Sequence, residues 1–168
     1  MARARSRFSS HSTSEVSPQA TTLHAFMDGV VAQWQSRHAV ERFDYVQAEE
    51  DFPILSDTAL QQMVCNVLDN AAEASPGHVA LHLSVRTGML CITVRDKGPG
   101  FAPAVLEQLG QRHISTKTER PGRGLGLFLV LNVARSLGGR VQVRNTPPRG
   151  SEVEIRLPLS SIAIEPGA

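Results

Sequence analysis

The sequence predicts an α/β fold: a two-layer α/β sandwich in which about three helices cover one face of a mixed, largely antiparallel sheet. Two observations carry that prediction. Apolar residues recur at three-and-four spacing over residues 23–34, 60–75 and 125–137, the period of helices with one buried stripe. They alternate with period two over residues 78–96, 141–145 and 153–157, the period of strands with one buried face. A chain of 168 residues, 41% of them hydrophobic, is one ordinary domain plus a tail, with a full core and no room for a second catalytic domain.

In chain order, residues 1–20 are rich in Arg and Ser and have little to bury, so a disordered leader or linker is expected there. Positive charge and serines without a following apolar core do not make a secretory signal. Leu23, Phe26, Met27, Val30, Val31 and Trp34 form a helical stripe with Thr21 or Thr22 as N-cap. This helix occupies residues 21–40 and leads into the domain proper, residues 41–160. Its aromatic side chains read as core and not as a ligand box. Residues 42–46 form a short strand, and residues 52–55 a second, where Pro53 requires an edge or a strand start. Ser56 or Asp57 then caps the helix of residues 60–75, which stops at Ser75-Pro76-Gly77.

Val79, Leu81, Leu83 and Val85 alternate, Thr87-Gly88 turns, and Leu90, Ile92 and Val94 alternate again, a hairpin with His78 and His82 on or near its wet face. A short helix follows near residues 103–109. The stretch GQRHISTKTERPGRG is polar and aperiodic, a long loop of the kind that is functional or disordered. Helical spacing resumes over residues 125–137 and ends at Gly138-Gly139. Two strands around the turn TPPRGS close the domain, and residues 161–168 are a frayed tail.

Composition excludes several functions. With 17 basic and 16 acidic side chains interspersed, the net charge of +1 offers no field for nucleic acid or an anionic membrane, and neither is expected as a partner. No apolar run approaches a membrane span. Cys65 and Cys91 are isolated thiols without CxxC or metal-ligand spacing, so they read as buried small hydrophobes in a reducing cytoplasm.

The helix of residues 60–75 carries the first chemical signal. Met63, Val64, Val67, Leu68 and Ala71 make its apolar face, while Asn66, Asn70 and Glu73 stand a turn apart on a neighbouring stripe. Mid-helix asparagines cost helix propensity, and solvated surface amides are the simpler reading of the pair alone. Asp96 ends a buried strand and is followed by Gly98 and Gly100. A carboxylate there can accept a hydrogen bond from an exocyclic amine such as that of adenine, although DKGPG alone reads as a turn. Gly122, Arg123, Gly124, Leu125 and Gly126 run directly into a helix, so backbone N–H groups and roughly half a positive charge of helix dipole are open to a phosphate. No strand precedes those glycines, as a dinucleotide fingerprint requires, and GxxxxGK[ST] is absent.

The order of these motifs, N-x-x-x-N on a helix, D-x-G-x-G after a strand, a polar lid with STK and G-x-G-x-G opening a helix, resembles the ATP-binding domain shared by sensor histidine kinases, type II topoisomerases, Hsp90 and MutL. The resemblance covers about residues 40–158. VCNVLDNAAEAS looks like the histidine-kinase branch, and LEQLG…STK…GRGLGLFL is reminiscent of the redox-responsive RegB/PrrB group. The resemblance implies a Bergerat-type fold with ATP and Mg²⁺ as cofactors. It implies that Asn70 ligands the Mg²⁺, that Asn66 assists at the phosphates and shares catalysis with Lys117, and that Glu73 belongs to the nucleotide-binding set. Asp96 would read adenine in a pocket shaped by Gly98 and Gly100. Ser115, Thr116, Lys117, Gly122, Arg123, Gly124, Leu125 and Gly126 would form the lid and phosphate cradle.

Two departures are informative. Hydrolysing members of the superfamily place a glutamate four residues before the metal-binding asparagine, where this chain has Asn66. An amide cannot act as a general base, so the site looks built to hold ATP for an external nucleophile. Paired phenylalanines frequent in kinase lids are replaced by Leu106, Leu109 and Ile114. None of His11, His24, His38, His78, His82 or His113 sits in an H-[ED]-x-x-x-P box, so the chain is not expected to phosphorylate itself. The function expected is transfer of the γ-phosphoryl group to a histidine on a separate dimerisation domain, with a response regulator downstream. The alternatives are an anti-sigma-type serine kinase of the same fold and a nucleotide-sensing module without transfer activity.

Overall fold

The computed structural model describes residues 19–110 and 125–164. Its elements run β1 (Ala20–Thr22), α1 (Leu23–Gln35), β2 (Phe43–Val46), β3 (Pro53–Leu55), α2 (Thr58–Ala74), β4 (Val79–Arg86), β5 (Met89–Asp96), α3 (Pro103–Gly110), α4 (Leu125–Ser136), β6 (Arg140–Asn145), β7 (Ser151–Pro158) and α5 (Leu159–Ile162). Five strands form one sheet in the order β2-β4-β5-β7-β6, with only β2 and β4 parallel. Helices α1, α2 and α4 bury one face, so the molecule is the two-layer α/β sandwich that the hydrophobic periods call for.

The register explains which face is covered. Val79, Leu81 and Leu83 of β4 lie opposite Asp96, Val94 and Ile92 of β5, and Ile92 and Val94 lie opposite Ile155 and Val153 of β7. These apolar side chains are all buried and meet Leu60, Met63, Val64, Val67 and Leu68 of α2. The alternate positions His82, Thr93 and Glu154 make a row on the uncovered face. Glu152 sits on that face yet is 3% exposed, because Arg95 and Arg144 both close on its carboxylate. Their aliphatic stems cover it while both charges pair with it.

Local chemistry sets the helix ends. Thr22 caps α1, accepting from the Ala25 N–H at 3.2 Å, and Asp57 caps α2, accepting from the Ala59 N–H at 2.7 Å. The β4–β5 turn uses Thr87 and Gly88 at φ 48° and 72°, the mirror-image geometry that matches hairpin twist.

The chain ends of the domain differ from the sequence expectation. Ala20 is not leader but part of β1, which pairs antiparallel with β3. Residues 159–164 are not frayed: α5 follows Pro158 at once, Ile162 is 7% exposed, and the Ile164 N–H donates to the Pro53 carbonyl at 2.9 Å. A four-residue helix has no periodic signal to read. Ile162→Ala should therefore destabilise the domain by about 2–5 kcal/mol, as other buried isoleucine truncations do. Urea unfolding checks this, and an unchanged midpoint would show that the segment is not part of the core.

Candidate functional site

Helix α2 sits at the centre of the site. Along its polar edge Asn70 is 8% exposed, Asn66 is half-buried and Glu73 is exposed. The Asn70 side chain faces the start of α4, where a methyl group on Gly126 would stand 3.0 Å from Asn70 Nδ2. A side chain at position 126 would press on the end of the Asn70 amide and require it to give by a few tenths of an ångström. Among the described residues, Asn70 Nδ2 is buried without a hydrogen-bond partner. A donor left unpaired in such a place costs about 1–3 kcal/mol, so a further hydrogen-bonding group is called for beside Asn70. A half-turn of the amide exchanges Nδ2 and Oδ1, so the same position can present a donor or an acceptor.

One turn further along α2, the Ala74 carbonyl meets the loop after β5. A methyl group on Gly98 would lie 2.6 Å from that oxygen, so the D-x-G turn can close on the helix only with glycine there. Ser75 Oγ donates to the His78 carbonyl at 3.0 Å and accepts from the Lys97 N–H at 3.3 Å. Asp96 is 7% exposed, its Oδ1 accepting from the Gly98 N–H at 2.8 Å and its Oδ2 from the Ser151 hydroxyl at 2.6 Å. Two fixed donors set the plane of the carboxylate, and a carboxylate has about four acceptor sites in all.

Beyond the turn, Asn145 at the end of β6 clamps the chain. Its Oδ1 accepts from the Phe101 N–H at 2.8 Å and its Nδ2 donates to the Phe101 carbonyl at 2.9 Å. Gly100, at φ 82°, packs against the same side chain.

Asn70, Gly126, Asp96 and Gly98 are thus gathered around the C-terminal half of α2. Gly100 adjoins them through the turn, and Leu125 opens α4. Glu73 is exposed to solvent. Ser115, Thr116, Lys117, Gly122, Arg123 and Gly124 lie outside the described residues, as do His113, Ile114 and so the STK part of the string that is reminiscent of RegB/PrrB.

Sequence reasoning missed Ser151 and Asn145. Ser151 is the cross-strand neighbour of Asp96, and a strand started at Ser151 instead of Val153 finds it. The cysteines also differ from expectation. Both are half-buried, not buried, and Cys91 lies opposite Ser84 and Arg156 on the uncovered face. Burial pushes the Cys65 thiol up, and the nearby Asp69 carboxylate adds to that, so it is not an activated thiolate. His78, expected to be solvated, pairs through Nε2 with Asp44 at 2.7 Å, and that contact, with help from Arg42, holds the Asp44 carboxyl below the usual range. A cleft of about 500 Å³ between α1, β3 and the start of α2 contains none of the candidate site residues. Among the described residues, no three His, Cys, Asp or Glu side chains converge on a metal-sized site, and no helix is long and apolar enough to cross a membrane.

A buried amide beside the N-terminal end of a 12-residue helix, with an oriented carboxylate at the end of β5, suits a ligand carrying both an anionic group and an amine. Residues 56–161 match the family described as histidine kinase-, DNA gyrase B-, and HSP90-like ATPase. The chain belongs to this family.

Its relatives lie in the histidine-kinase branch. The chain is 37% identical over 115 residues to a sensor histidine kinase component, HK1, from Mycobacterium tuberculosis, covering 67% of this chain and 68% of that one. The mycobacterial sensor histidine kinase MprB superposes with a TM-score of 0.63 at 27% identity, over 84% of this chain and 97% of that one. A full-length structure of ShkA in complex with AMPPNP shares the fold, with a TM-score of 0.64 at 24% identity over 89% of this chain and 32% of that one. The chain spans 30% and 24% of the length of two other sensor-kinase relatives. It is a nucleotide-binding catalytic domain of the kind that performs ATP-dependent phosphotransfer in two-component signalling.

Within this family's site, Gly126→Ala should force the Asn70 amide aside. If the displaced amide loses about 1.4 kcal/mol of its contribution to binding, ATP affinity falls about tenfold, which is the expected result. Calorimetry measures it, and unchanged affinity in a folded variant would show that the close approach is dispensable.

Proposed function

We propose that this chain binds Mg-ATP and passes the γ-phosphoryl group to a histidine carried by a separate phosphoacceptor domain, in cis within a longer protein or in trans. A response regulator would receive the group next, and the chemistry would take place on the cytoplasmic side, where ATP is abundant. The observation that carries the reading is the buried Asn70 Nδ2, without a partner among the described residues, against Gly126 at the start of α4.

That amide fits the metal. Mg²⁺ takes oxygen ligands, keeps several waters and is commonly held by one or two protein groups plus phosphate oxygens. A single amide oxygen beside a helix N-terminus meets that need. Bound there, the metal would neutralise charge on the transferred phosphoryl group. Asn70 would hold it, and Asn66, half-buried one turn earlier, would orient the phosphates. The α4 N-terminus and Gly126, with Gly122, Arg123, Gly124 and Leu125 before it, would cradle them through backbone N–H groups. Asp96, kept in plane by Gly98 and Ser151, would accept from the adenine amine. Lys117, Ser115 and Thr116 would cover the phosphates from the lid, and Glu73 would border the entrance.

Transfer is favoured over hydrolysis because Asn66 stands where a water-activating carboxylate would be needed. The serine-kinase and purely sensory alternatives have no observation of their own, and the relatives are sensor histidine kinases. Incubating the chain with Mg-ATP and a histidine-bearing dimerisation domain should put acid-labile phosphate on that domain. Acid-stable phosphoserine on a partner, or no transfer to any histidine domain tested, would contradict the proposal.

A further inference from the structure

Asp69 directly precedes Asn70 and is tied to a different element. The Trp34 indole N–H donates to Asp69 Oδ1 at 2.9 Å, and His38 Nε2 stands 2.9 Å from the same oxygen. The His38 ring lies on the indole with centroids 4.6 Å apart and planes 13° apart, while its Nδ1 is 2.9 Å from the Trp34 carbonyl oxygen. Trp34 itself is 3% exposed, and Phe43 flanks it at 5.3 Å. The indole is therefore fixed by the core, and its one polar atom is directed at α2.

We infer that Asp69 is a positioning residue: anchored to Trp34 and His38, it fixes the last degrees of rotation of α2, which its apolar face already seats on the sheet, and thereby the aim of Asn70. The inference rests on the reading of Asn70 as the metal- and phosphate-facing amide.

The geometry of a helix supplies the mechanism. Successive side chains are about 100° apart around the axis, so neighbouring residues serve different flanks. Here Asp69 reaches α1 while Asn70 reaches Gly126 of α4. A rotation of about 10° moves a side-chain tip, roughly 5 Å from the axis, by about 0.9 Å. That is enough to carry a 2.9 Å hydrogen bond past its useful range. Rotation that would swing Asn70 away from α4 therefore breaks the bond to the indole. The His38–Asp69 pair is open to water and adds little, whereas the hydrogen bond from the buried indole to a charged carboxylate is of the stronger kind. What the contact supplies is direction. The other His–Asp pairs, His24 with Asp51 and His78 with Asp44, tie loops to neighbouring segments and touch no residue of α2.

The test uses the whole chain. In the nucleotide-free protein, Asp69→Ala should shift or broaden the Asn70 side-chain amide resonance. Its Mg-ATP affinity should fall roughly tenfold, since misplacements of about 1 Å at reacting groups have effects of this order or larger. Affinity for ADP in EDTA, read through Asp96, should stay within about twofold, a split that general loosening of the fold would not give. Asp69→Asn keeps an oxygen for the indole N–H and should restore Mg-ATP affinity. Trp34→Phe removes the N–H, keeps an aromatic ring in the core, and should reproduce Asp69→Ala; it decides the matter if Asp69→Ala does not fold. An unmoved Asn70 resonance with unchanged Mg-ATP affinity would overturn the inference. If the unmutated chain binds ATP without regard to Mg²⁺, the reading of Asn70 fails instead. The nucleotide-free resonance still decides whether Asp69 orients the amide.

Discussion

The seating of α2 on the sheet is the constraint on which the rest depends. Leu60, Met63, Val64, Val67 and Leu68 are each no more than 1% exposed, and burying such a side chain is worth about 1.5–3 kcal/mol. Against that sum, the roughly 1–3 kcal/mol lost by leaving the Asn70 amide unpaired is small. The helix therefore keeps its seat whether or not a ligand is present, and Asn70 is carried to the edge facing α4. A buried Asn70 Nδ2 without a partner among the described residues is a local cost of the kind found where function and stability compete.

The same logic extends to the ends of the strands. Asp96 is the last residue of β5 and Ser151 the first of β7, so sheet pairing brings hydroxyl and carboxylate together. Asn145, the last residue of β6, pairs with Ser151 in the ladder while its side chain grips Phe101. Three adjacent strand ends thus fix the turn that follows Asp96. The covered face supplies the energy, and its rim supplies the chemistry.

Much of this was legible in the sequence because it is periodic. The apolar stripes of α1, α2 and α4 and the alternation in β4, β5, β6 and β7 define the layers, and the motif order pointed to the family. What escaped is of two kinds. Short or polar pieces, such as β1, α5 and the Ser151-Glu152 start of β7, lack enough residues or enough apolar character to show a period. Contacts between distant segments, such as Trp34 with Asp69 across 35 positions, have no local trace at all. His78 reads as a solvated side chain until folding brings Asp44 beside it.

The central claim is that Asn70, among all the polar groups of the site, connects the protein to the metal. Calorimetry of ATP binding to the Asn70→Ala variant, with Mg²⁺ and with EDTA, tests it most directly. The account predicts that the unmutated chain gains affinity from Mg²⁺ and that the folded variant binds ATP equally weakly in both conditions. A folded variant that keeps the full gain from Mg²⁺ would contradict it.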